Sequence, residues 1–137
     1  MKETLQIRDI MSRDAYYVTA QTSINDLVQG LSRHKLSGAP VADKYGNLIG
    51  FVSEQDVLPQ LMQNAYYCNQ PNSIESVMQT DVLYIKPTDT VMTLAKMMLD
   101  RKPKVYPVIE DRRIIGIVTR HQIAKALIES QKNCVPV

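Results

Sequence analysis

An internal duplication constrains this chain more than any other feature. Ile7-Arg8-Asp9-Ile10-Met11 returns as Ile74-Glu75-Ser76-Val77-Met78, which carries position 11 to position 78, a shift of 67. The same shift sets Tyr17 on Tyr84, Leu27 on Leu94, Lys35 on Lys102 and Pro40-Val41 on Pro107-Val108. Leu48 to Val52 then matches Ile114 to Val118 at a shift of 66, so one residue is lost between Pro107 and Ile114, where a turn absorbs it. Self-similarity of this kind means two copies of one supersecondary unit stacked on each other. A unit of about 60 residues alone buries only about 60% of its unfolded surface, so the copies are expected to share their burial. A ligand site is best sought in the cleft between them.

Composition narrows the remaining classes. The 137 residues are 45% hydrophobic and 22% charged, an ordinary globular balance. A net charge of +2 is too small to argue for nucleic acid or anionic lipid as a partner. No basic N-terminal segment leads into an apolar stretch and no run reaches membrane-spanning length, so a cytoplasmic protein is expected. Cys68 and Cys134 form no Cys-x-x-Cys spacing; two reduced thiols are expected, with a disulfide between them as the alternative. His34 and His121 fall in different copies, and so few soft ligands argue against zinc.

Each copy reads as β-α-β-β-α. In the first, Ala15 to Val18 is a short β-type stretch, and Thr22 or Ser23 caps a helix with Ile24, Leu27, Val28 and Leu31 at helical spacing. Ser37-Gly38 ends the helical pattern. Ala39 to Ala42 and Leu48 to Val52 are strands joined by the polar turn Asp43 to Asn47. Ser53 opens a second helix carrying Val57, Leu58, Leu61 and Met62, which Pro59 is expected to kink or shorten. In the second copy, Val82 to Ile85 is the first strand and Thr88 or Asp89 caps a helix bearing Val91, Leu94, Ala95, Met98 and Leu99. Val105 to Ile109 and Ile114 to Val118 form the hairpin, and Thr119 opens a last helix with Ile123, Ala124, Leu127 and Ile128 on one face.

That order, with the segments Ser37-Gly38-Ala39-Pro40-Val41-Ala42-Asp43 and Gly50-Phe51-Val52-Ser53-Glu54-Gln55-Asp56, resembles the CBS domain, the family named after cystathionine beta-synthase, whose members occur in tandem pairs. The resemblance spans Ile7 to Ser130. It implies an α+β fold of two pseudo-symmetric repeats packed as one module, with 1–65 as the first repeat, 66–73 as linker, 74–130 as the second repeat and 131–137 as tail. It also implies a regulatory, non-enzymatic role, with an adenosyl ligand such as AMP, ADP, ATP or S-adenosylmethionine in the inter-repeat cleft and no required cofactor. In that family the hydroxyl and carboxylate of Gly-x-x-Ser/Thr-x-x-Asp hold the ribose, small apolar residues face the adenine, and basic side chains take phosphates. The partners so implied are the ligand, a second copy of the chain and an unidentified regulated protein. A dimerising scaffold with empty clefts is the alternative.

On this reading the candidate ligand residues are Ser53, Asp56, Ser37, Gly38, Ala39, Pro40, Thr119, Arg101, Lys102 and Lys104. Ser53 with Asp56 has ribose-binding chemistry, and the same pair reads equally as a capping box. In the second copy Gln122 stands where the family prefers Asp; Thr119 with Gln122 still caps, but Gln lacks the charge of a ribose clamp, so the clefts are expected to be unequal. Arg101, Lys102 and Lys104, like His34 and Lys35 before the first Pro-Val strand, read either as phosphate receivers or as a solvated helix end. Arg120 and His121 read as a surface turn. Ser37 to Ala39 either admit an adenine or simply stop a helix; Lys104, Val105 and bulky Tyr106 replace them in the second copy, with Tyr106 better explained as core than as a stacking platform. Met92, Met97 and Met98 read as packing residues. No Cys-His or Ser-His-acid set, phosphate-cradling glycine run or His-Glu-x-x-His spacing supports catalysis.

Overall fold

The structure, a computed structural model, describes residues 4–68, 72–100 and 103–132. In the first copy the Ser23 hydroxyl accepts the backbone N–H of Asp26, opening α1 (Ile24–His34) with Ile24, Leu27 and Leu31 buried. Lys35 ends α1 in the left-handed region at φ 56. β1 (Gly38–Ala42) is buried along its whole length and pairs antiparallel with β2 (Leu48–Ser53). Between them the Asp43 carboxylate accepts the N–H groups of Tyr45 and Asn47, both at 2.9 Å, and Gly46 turns through φ +85. α2 (Glu54–Tyr67) follows at once. Pro59 does not end it: its ring is exposed, only one main-chain bond is forfeited, and the helix continues to Tyr67.

The second copy repeats this as α3 (Val91–Asp100), β3 (Val105–Glu110), β4 (Arg113–Thr119) and α4 (Arg120–Gln131). Its first cap is neither Thr88 nor Asp89. Thr90, the counterpart of Ser23, accepts the N–H of Thr93 at 3.1 Å, whereas Asp89 turns back onto the N–H of Lys86. The hairpin closes through Asp111 and Arg112 at φ 52 and 69, a tight two-residue turn that accounts for the missing residue.

One expectation fails in both copies. Ala15–Val18 and Val82–Ile85 do not form strands; each makes a single parallel pairing, Val18 with Val41 and Ile85 with Val108. Val18 donates to the Pro40 carbonyl and accepts from Ala42, and Ile85 does the same with Pro107 and Ile109. Extending either ladder by one step would need an N–H from Pro40 or Pro107, which proline lacks. The unit is therefore α-β-β-α with one anchored residue ahead of it.

The two cores trade their entry segments. A short 3-10 helix, Ile7–Asp9, places Ile7 and Met11 in the core of the second copy, among Leu94, Tyr106 and Val118. Its counterpart, Ile74–Ser76, places Ile74 in the core of the first copy beside Leu27, Val41 and Val57, with Val77 and Met78 packed against that core. Two paired backbone contacts hold the exchange. Ser12 and Ile117 trade N–H···O bonds at 2.9 and 3.0 Å, and Gln79 and Phe51 trade theirs at 2.8 Å each. Gly50 and Gly116 permit this approach. A Cβ on Gly50 would lie 2.9 Å from the Gln79 carbonyl and 3.0 Å from the Met78 sulfur; on Gly116 it would meet Ser12 and Met11 at 2.8 and 3.0 Å.

Candidate functional site

Folding this way runs a trough along the seam between the repeats. At one end lies a cavity of about 420 Å³ whose walls include Ser37, Ser53, Gln79 and Lys104. At the other is one of about 450 Å³ walled by Ser12, Tyr16, His34, Thr119 and Gln122 among others. A middle cavity shares Ser37 and Lys104 with the first and Lys35, Thr119 and His121 with the second, so the three adjoin along the seam. Lys35, Lys104 and Arg120 all border it, and the only ion pair among the described residues is Lys132 with Glu129, far along α4. Unpaired cations around a concave seam favour an anionic guest.

Both capping boxes form. Asp56 Oδ2 accepts the Ser53 N–H at 2.8 Å and the Ser53 hydroxyl at 2.9 Å, while Ser53 Oγ accepts the Asp56 N–H at 3.2 Å. Asp56 is half-buried, and its other oxygen accepts the Gln79 side-chain amide at 2.9 Å from across the seam. Gln122 Oε1 accepts the Thr119 N–H at 2.8 Å, and its amide donates to Ser12 Oγ at 3.0 Å and to the Ile10 carbonyl at 3.3 Å. Cap and cleft are thus one piece of architecture.

The expected site residues separate into groups. Ser53, Ser37 and Lys104 share one cavity, with Asp56 just behind Ser53. Gly38 pairs with Ser53 in the β1–β2 register, and its missing side chain makes room for the Phe51 ring, 2.7 Å from where a Cβ would stand. Ala39 and Pro40 do not line the trough; both are buried, Ala39 in the first core. Thr119 lies in the middle and opposite cavities. Arg101 and Lys102 lie outside the described residues. Arg120 and His121, read as a surface turn, line the trough, and Tyr106 is fully buried in the second core. Met97 and Met98 pack on that core, whereas Met92 is exposed.

The profile of the CBS domain matches this chain twice, over residues 7–63 and 74–129. The chain belongs to the CBS domain family. Among solved CBS pairs, that of protein MJ0100 in complex with 5′-methylthioadenosine and S-adenosyl-L-methionine is 26% identical, with a TM-score of 0.81 over 93% of this chain and 99% of that one. CBSX2 in complex with AMP, from Arabidopsis thaliana, is 25% identical with a TM-score of 0.79 over 93% and 98% of the two chains. A curated relative, the A-adding tRNA nucleotidyltransferase of Aquifex aeolicus, is 29% identical over 91% of this chain, which spans only 15% of that enzyme.

Sequence reasoning missed Gln79, Ser12 and Tyr16. The first two stand at the same repeat position, a signal present in the duplication. Tyr16 stacks on His34 with ring centroids 4.4 Å apart and seats its hydroxyl end where Gly30 of α1 has no side chain. Burial raises the Tyr16 phenol above its ordinary pKa. In the second repeat the corresponding pair is Leu83 and Met97, so a large-with-small pair becomes two medium apolar ones. Among the described residues no group of three His, Cys, Asp or Glu is placed to hold a metal, and no helix is long and apolar enough to cross a membrane. Cys68 is a free, exposed thiol, and Cys134 lies outside the described residues.

Proposed function

We propose that this CBS pair is a regulatory module that takes an adenosyl ligand in the trough between its repeats and passes the occupancy to a partner protein as a change of shape. The observation that carries the reading is Ser53, on the wall of the seam cavity that also presents Gln79 and Lys104, with the Asp56 carboxylate hydrogen-bonded to both Ser53 and Gln79. Asp56 supplies an anionic acceptor for sugar hydroxyls, Ser53 a hydroxyl, and Ser37 a small side chain beside the base. Lys104 and Arg120, with Arg101 and Lys102 of the same basic group, receive phosphate. The AMP, 5′-methylthioadenosine and S-adenosylmethionine held by similar pairs define the panel to try, with ADP and ATP added. For occupancy to signal anything, the ligand must bind two arrangements of the module with different affinity.

The exposed stripe Leu58, Met62 and Tyr66 on α2, 54, 66 and 81% accessible, supports a second copy of the chain as partner. A cytoplasmic setting and a role outside catalysis belong to the same proposal. Thermal-shift measurement across the panel tests it. A ligand at a hundredfold its Kd adds about 2.7 kcal/mol of stability and so a clear rise in Tm. Silence across the whole panel would leave the scaffold reading in its place.

A further inference from the structure

We infer that Gln79 is a releasable clasp on Asp56: its side-chain amide occupies part of the acceptor that a sugar diol needs, and must leave before both hydroxyls are gripped. This rests on the adenosyl-ligand reading above. A carboxylate offers about four lone-pair positions. On Asp56, Oδ2 already takes the N–H and hydroxyl of Ser53 at 2.8 and 2.9 Å, and Oδ1 takes Gln79 Nε2 at 2.9 Å. One position remains. A single hydroxyl can therefore be accepted with the clasp closed, whereas two vicinal hydroxyls require Gln79 to let go.

Two features make release feasible without disturbing the seam. The Gln79 side chain is exposed, so water replaces its partner once it swings out. Its backbone is fixed independently by the paired 2.8 Å bonds with Phe51. The other cleft shows the contrast. Gln122 spends its amide on Ser12 Oγ and the Ile10 carbonyl and its oxygen on Thr119, so this neutral clasp across the same pseudo-symmetric position has nothing to release toward a diol. Replacing the Gln79 side chain should accordingly sharpen one cleft and leave the other untouched.

The test is calorimetric titration of the full chain with AMP and with its 2′-deoxy counterpart, for wild type, Gln79→Ala and Gln79→Met. Methionine keeps the length of glutamine without an N–H to donate, so Gln79→Met secures the test if the alanine variant folds poorly. The clasp predicts AMP binding tightened about two- to tenfold in both variants, the worth of one exchanged hydrogen bond, with the deoxy ligand unchanged. Wild-type binding with no gain, or a loss, in both variants overturns the clasp while the adenosyl reading stands. An equal gain for both ligands also overturns it, since a merely wider cleft would do that. No binding of either ligand to any of the three proteins overturns the function reading and the clasp together.

Discussion

Ser53 and Asp56 close the capping box of α2 and are proposed to hold the ligand as well, so their substitution should show both effects. Ser53→Ala removes the cap of α2 and should cost about 1 kcal/mol in chemical denaturation, with weakened ligand binding as a separate effect. Asp43 behaves as a purely structural acid. Main-chain donors from Asn47 and Tyr45, with the Asn47 amide, hold its carboxyl below the ordinary value. Because the folded pKa lies below the unfolded one, its stabilising effect is complete above the unfolded value of about 3.9 and fades only as pH falls through the lower folded value. NMR titration should therefore place the Asp43 midpoint below that of an unstructured aspartate. At this scale the sequence showed which residues cap but not what faces them, because Gln79 and Ser12 reach their partners across 23 and 110 residues.

At the scale of elements, helices and hairpins were legible because periodicity and turn chemistry are local. The first strands were not, because the β-type residues of Ala15 to Val18 say nothing of whether a neighbouring strand can donate. Pro40 and Pro107 decide that, and both were in view as parts of the Pro-Val strands. The capping residue Thr90 was likewise obscured by Thr88 and Asp89, and the repeat shift from Ser23 points straight to it. Pro59 leaves Gln55 without its main-chain donor inside α2 while contributing an exposed ring. Pro59→Ala should stabilise the protein by about 1–3 kcal/mol, read as a higher denaturation midpoint with unchanged slope. Gly50→Ala should do the reverse, costing about 1–3 kcal/mol, because its Cβ would press on the Gln79 carbonyl.

Across the whole molecule the duplication foretold a shared core, yet not that each copy completes the other's. The sequence repeats break at the linker, whereas the packing breaks after Met11 and Met78. A fragment of residues 1–65 lacks Ile74 and Met78 and should remain largely unfolded by circular dichroism. A fragment of residues 12–81 holds every member of the first core and should retain cooperative structure. The same exchange ties the trough to the cores: whatever shifts Gln79 or Ser12 acts on segments that reach into the opposite repeat. A guest in the seam is therefore well placed to alter how the repeats sit on each other.

Whether Asp56 grips an adenosyl sugar in one of two unequal clefts is read out by calorimetry on matched variants. Wild type should bind a ligand of the panel with one dominant site per chain. Asp56→Asn, which keeps size and capping geometry but removes the charge, should weaken that site by about tenfold or more, while Gln122→Ala leaves it nearly unchanged. Undiminished affinity in Asp56→Asn together with abolished binding in Gln122→Ala would rule out Asp56 as the sugar ligand.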